Sequence, residues 1–144
     1  SDIKNFQAYI LMDELYEMSH YNTKPVILCG DFNSEPNSAV YHGITTGKSN
    51  NVFDEKTKSP LQTPATFTDS PYKSCYKSIL NKEPEYSTFT VDFKSVLDYI
   101  FVNTQVKIKS VLEDVDTKYF ETYKSFPNKD FPSDHIMLAA DLKF

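Results

Sequence analysis

From Ile3 to about Met18, apolar residues recur at Ile3, Phe6, Ile10, Leu11 and Leu15 with Asp and Glu between them. That spacing predicts an amphipathic helix whose apolar face packs on a sheet. Pro25 closes the turn that begins at Tyr21, and Val26 to Cys29 is an unbroken apolar run of strand formers. Such a run is expected of a strand buried on both faces, with Asp31 just beyond its C-terminal end. Asn37 and Ser38 stand where they can cap a short helix through Ala39, Val40, Tyr41 and Ile44, and Gly47 ends it. Lys48 to about Ser70 is polar, carries Pro60 and Pro64, and reads as a long surface loop. Ile79 and Leu80 can anchor a short helix that Pro84 would break. Strands are predicted at Thr88 to Val91, at Val96 to Val102, around Val106, Ile108 and Val111 as an alternating edge, and at Ile136 to Leu142. Two helices in the first half and a preponderance of strands in the second predict an α/β fold, one continuous domain with a mixed sheet.

The chain has 144 residues, enough for one core, and its 40% hydrophobic and 15% aromatic content is that of a packed globule. Fifteen basic residues against 20 acidic ones give a net charge of −5, which argues against nucleic-acid binding through a broad positive field. Any phosphate must therefore be handled by a few placed cations or by a metal. Cys29 lies in an apolar run and Cys75 between Ser74 and Tyr76, without metal-ligand spacing, so both are read as reduced thiols of a cytoplasmic or nuclear protein. No stretch approaches the ~20 apolar residues of a membrane span. The first residue is Ser rather than Met and a helical pattern starts at once, which suggests part of a longer chain.

Three short strings carry the chemistry: Gly30-Asp31-Phe32-Asn33-Ser34, Leu97-Asp98-Tyr99-Ile100-Phe101, and Ser133-Asp134-His135. Each places an ionisable or amide group where an apolar run meets a loop, the position from which polar groups converge above a sheet. Asp31 and Asn33 point to the same side if the backbone stays extended, one to hold water or metal and the other to donate to a phosphate oxygen. The same five residues also have the composition of a plain turn. Asp98 sits in an apolar run, where an unpartnered carboxylate is costly. His135 is the best candidate partner, because a carboxylate on one ring nitrogen fixes the tautomer and raises the basicity of the other; a backbone group or Tyr99 is the alternative. His20 and His42 read as surface residues. Phe93, in the polar surround of Asp92, Lys94 and Ser95, can stack on a base or pack under its loop.

Together and in this order, the three strings resemble the C-terminal half of the endonuclease/exonuclease/phosphatase superfamily. The run from Glu83 to Phe101, and Ser1-Asp2-Ile3-Lys4 with Gln7, are similar to its poly(A)-shortening branch, the carbon-catabolite-repressor-type deadenylases. The resemblance implies the C-terminal half of a DNase I-like four-layer α/β/β/α sandwich and a phosphodiesterase dependent on Mg²⁺ or Mn²⁺. It implies RNA, a poly(A) tail, as substrate, and protein partners in a deadenylase complex. By position, Asp31 would bind a metal-linked water or activate it, and Asn33 would hold the scissile phosphate. Asp98 would orient His135 against the phosphate oxygens, Asp134 would lie at or near a metal, and Phe93 would stack on a base. The family's first half supplies an Asn and a Glu for Mg²⁺, and neither motif is present in these residues. Two rivals share the strings: an inositol, lipid or abasic-site phosphodiesterase of the same fold, and an inactive nuclease-like interaction module.

Overall fold

The computed structural model describes residues 2–48, 68–113 and 124–144. Helix α1 spans Asp2–Met18, as its periodicity predicts. The buried face is only partly the predicted one, with Leu15 packed against the core. Asn5, Ala8 and Met12 are buried, whereas Ile3, Phe6 and Ile10 are 72%, 49% and 44% exposed. Strand β1 (Ile27–Asp31) follows, then α2 (Ala39–Thr46). The Ser38 side chain accepts from the Tyr41 amide, and Gly47 closes α2 in the left-handed conformation, φ 74°. A Cβ at Gly47 would meet the Thr68 carbonyl oxygen at 2.1 Å, so glycine is required there on two counts. The expected loop from Lys48 to Ser70 lies almost wholly outside the described residues.

Strand β2 (Lys73–Ser74) leads into α3 (Cys75–Leu80), which buries Cys75 and Tyr76 rather than the predicted anchor Ile79, 42% exposed. A small hairpin, β3 (Thr88–Phe89) and β4 (Lys94–Ser95), precedes β5 (Asp98–Val102) and β6 (Lys107–Val111), and β7 (Ala140–Lys143) is the last of the described strands. β5 is the centre of a three-stranded sheet in the order β1-β5-β2, and β6 pairs with β7 in a separate ribbon. The α/β class stands, with every ladder among the described residues antiparallel where a mixed sheet was expected.

Alternation along β5 sends Tyr99 and Phe101 to one face and Asp98, Ile100 and Val102 to the other. On the first face they pack with Ala8, Met12, Val40, Ile44 and Tyr72 beneath α1 and α2. The Phe101 ring lies 5.1 Å from Tyr99, 5.3 Å from Phe32 and 5.8 Å from Tyr41, centre to centre. On the second face Val102 joins Cys75 and Val106, against Ile108, Val111, Ala140 and Leu142 of the ribbon. β1 is not buried on both faces. Among the described residues it lies at the edge of its sheet, and Ile27 is 42% exposed.

Candidate active site

The β1–β5 register runs from Ile27 opposite Val102 to Asp31 opposite Asp98, so the last rung sets two carboxylates side by side. Like charges directly opposite repel, and something must compensate them. Two devices do so. The backbone leaves the extended conformation expected after β1, because Asn33 turns left-handed at φ 47°. Its amide then donates to Asp31 Oδ1 at 2.7 Å and its side-chain Nδ2 to Asp31 Oδ2 at 3.2 Å. Lys4, reaching across from α1, donates to the Asn33 carbonyl at 2.5 Å and pins this turn.

The second device is His135. Its Nδ1 lies 2.7 Å from Asp98 Oδ2, which is the pairing expected from an acid in an apolar run. The imidazole arrives there because His135 forms an isolated antiparallel bridge with Thr88, and the Ile136 amide donates to the Ser87 carbonyl at 2.8 Å. Burial by itself would push the imidazole down. The hydrogen bond and charge of Asp98, with smaller contributions from Asp31 and Asp134, outweigh it and hold His135 above the ordinary 6.5.

Asp31, Asp98 and His135 each offer a ligand atom within 4.8 Å of the others. The donor chemistry suits Mg²⁺ or Mn²⁺ on its carboxylate side. Asp98 is already engaged by His135, whereas Asp31 is exposed and keeps lone pairs beyond the two that Asn33 uses. Asp134 is exposed and its charge reaches His135, but it is not in that group of three. Phe93 is 44% exposed on the β3–β4 turn, where its amide donates to Thr90 Oγ1 at 3.1 Å. The hairpin thus carries Phe93 at its tip and, through Thr88, His135 at its base. A cleft of about 400 Å³ opens between α1 and the end of β1, lined by Lys4, Gln7 and Leu11 on one side and Asp31 and Asn33 on the other.

Sequence reasoning missed Lys4 and Ser87 as parts of this site. A lysine in the first turn of a helix carries no signal for what it reaches. Ser87 lies in a Ser-Thr-Phe-Thr run of ordinary composition.

The profile of the Endonuclease/Exonuclease/phosphatase family matches residues 4–135. Over 143 residues the chain is 34% identical to a probable CCR4-Not complex 3'-5'-exoribonuclease subunit Ccr4 from Vairimorpha ceranae, covering 99% of this chain and 29% of that protein. It is 35% identical over 158 residues to the CCR4-Not complex 3'-5'-exoribonuclease subunit Ccr4 of Saccharomyces cerevisiae, with 100% of this chain and 18% of that protein covered. The chain therefore spans less than a third of the length of these curated relatives. The crystal structure of ANGEL2, a 2',3'-cyclic phosphatase, in complex with adenosine-2',3'-vanadate superposes at a TM-score of 0.75 and 24% identity, over 98% of this chain and 52% of that one. The human Nocturnin catalytic domain with bound sulfate superposes at 0.63 and 24% identity, over 99% and 41%. At that identity the two structures speak for the fold.

Proposed function

Because the chain belongs to the endonuclease/exonuclease/phosphatase family, we propose that Asp31, Asn33, Asp98 and His135 form one side of a metal-dependent phosphodiester-hydrolysing centre whose substrate is the 3′ poly(A) tail of mRNA. One observation carries this reading: the Asp98–His135 contact at 2.7 Å, with Asp31 on the neighbouring rung. The residues are 37 apart or more in sequence, and their meeting at one end of the sheet supports this reading over a plain turn at Asp31 or a structural bond at Asp98.

Each group has a task that its surroundings suit. Asp98 keeps the Nδ1 hydrogen of His135 engaged, so Nε2 is the atom left to meet a phosphate oxygen. An imidazole held above its ordinary pKa carries positive charge over a wider pH range, which favours the negative charge gathering on the phosphoryl oxygens. Asn33, one of whose Nδ2 hydrogens is given to Asp31, would offer the other to the same phosphate. Asp31, with Asp134 nearby in charge, would hold Mg²⁺ or Mn²⁺. When bound, that ion supplies Lewis acidity and lowers the pKa of a coordinated water. Phe93 offers its half-exposed ring for stacking on a base.

The 144 residues are read as the C-terminal part of a four-layer domain, a reading supported by their match to about half of the solved ANGEL2 chain. The curated relatives named above are subunits of the CCR4-Not complex, which supports a protein partner of that kind for this chain.

The test uses protein expressed from its complete reading frame and 5′-labelled RNA ending in oligo(A) or oligo(U). Mg²⁺-dependent 3′-to-5′ shortening that prefers the oligo(A) end, and that Asp31→Ala and His135→Ala abolish, is the expected result. Hydrolysis indifferent to the 3′ sequence points to another phosphodiesterase of this fold. No hydrolysis with either Mg²⁺ or Mn²⁺ refutes the proposal.

A further inference from the structure

Asp98 is held by more than the imidazole. Ser87, on the segment entering β3, is 0% exposed. Its Oγ donates to Asp98 Oδ2 at 2.6 Å, and it accepts the backbone amides of Leu97 at 2.9 Å and Asp98 at 3.0 Å. A hydroxyl has one hydrogen and two lone pairs. With both lone pairs taken by amides, the hydrogen has one place to go, the Asp98 carboxylate. The hydroxyl of most serines rotates to suit its surroundings; this one is locked by the backbone of the residue it serves.

The same oxygen, Asp98 Oδ2, also receives His135 Nδ1. Two groups converge on one carboxylate oxygen only if both donate to it. Nδ1 therefore carries the ring hydrogen and Nε2 is bare in the neutral imidazole. The backbone of Ser87 adds two further ties. Its amide donates to the Ser95 carbonyl of β4 at 2.9 Å, and its carbonyl accepts from Ile136, the residue after His135, at 2.8 Å. One buried residue thus joins the carboxylate, the hairpin and the segment that carries the imidazole.

We infer that Ser87 is a positioning residue: its hydroxyl orients the Asp98 carboxylate so that His135 is held in the Nδ1–H tautomer with Nε2 presented outward. The catalytic consequence rests on the function proposed above; the tautomer does not. A serine that merely closed a loop would change stability when removed and leave the imidazole as it was.

Protein expressed from its complete reading frame, ¹⁵N-labelled and kept in EDTA at a pH where the ring is neutral, answers this by two-bond ¹H–¹⁵N correlation. The unsubstituted chain should give His135 as the Nδ1–H form, and Ser87→Thr, which keeps the hydroxyl, should match it. Ser87→Ala should give a mixture in which the Nε2–H form becomes detectable, at unchanged far-ultraviolet circular dichroism. A folded Ser87→Ala chain that retains the Nδ1–H form alone overturns the inference. If Ser87→Ala fails to fold, the unsubstituted chain decides: the Ser87 hydroxyl hydrogen should exchange slowly and show nuclear Overhauser contacts to the Leu97 and Asp98 amides, and its absence overturns the inference equally. In protein from the complete reading frame, Ser87→Ala should lower kcat by about 10- to 100-fold with KM for oligo(A) unchanged. An unsubstituted protein without nuclease activity would remove the proposed function and leave the tautomer result standing.

Discussion

Replacing Asp98 by Asn removes a charge and keeps the shape of the side chain. An amide oxygen can still accept from Ser87 and from His135 Nδ1, but it no longer neutralises an imidazolium. A hydrogen bond to a charged group contributes about 1.5–3 kcal/mol. The His135 and Asp98 side chains are 30% and 21% exposed, so water weakens the pair. The lower end applies, and Asp98→Asn should cost about 1–2 kcal/mol where the imidazole is charged. The sign follows from the direction of the shift. His135 is held above 6.5 in the fold, so its pairing stabilises the protein fully below the unfolded value and loses that contribution as pH rises through the folded one. The destabilisation should therefore be largest at about pH 5.5 and shrink towards about pH 9, where the imidazole is neutral and only the hydrogen bonds to the carboxylate differ. Urea unfolding of the chain and the variant across this range in EDTA measures it, and ¹H NMR titration of His135 should show the pKa falling in the variant. A cost that is the same at both ends of the range, or a variant whose His135 pKa does not fall, would refute the assignment of the shift to Asp98.

Phe93→Ala should weaken oligo(A) binding by about 1–3 kcal/mol in fluorescence anisotropy. The ring is 44% exposed, so the melting temperature should barely move; a large drop would mean that it packs rather than stacks. Iodoacetamide on the native chain at mildly alkaline pH should label Cys29, which is exposed, and spare Cys75, which is 0% exposed and whose thiol burial pushes up to about 11. Equal labelling of both by mass spectrometry would contradict the packing around α3. Phe101→Ala should cost about 3–5 kcal/mol in urea unfolding. Its side chain is 0% exposed among three other rings, and a loss below about 1 kcal/mol would place the core elsewhere.

Element type was legible along most of the chain, and orientation was not. The helical period of residues 3–18 gave α1 its extent, but rotation about its axis depends on what the sheet offers. That surface accepts the small Ala8 and the adaptable Met12 and leaves Ile3 and Phe6 outside. The run Val26 to Cys29 has the composition of a central strand. A strand's neighbours are set by the whole topology, and among the described residues β1 lies at the edge of its sheet. Ile136 to Ala139 satisfies strand propensity without joining a regular ladder. The Ile136 amide is taken by the Ser87 carbonyl, and strand pairing in β7 begins only at Ala140.

The Asp98–His135 pair was legible because an acid in an apolar run creates a demand that few residues can meet. The Asp31–Asp98 rung was not legible, since it follows from register. A one-residue slip would turn Asp98 to the face of Phe101 and put Tyr99 in its place before His135. What prevents the slip is on the opposite face of the same strand, where Phe101 and Tyr99 pack against Phe32 and Tyr41. Tyr99 further donates to the carbonyl of Ser34, three residues beyond Asp31, at 2.7 Å. The aromatic face of β5 thus sets the position of the carboxylates on its polar face. A substitution such as Phe101→Ala should accordingly disturb the environment of His135 without touching it.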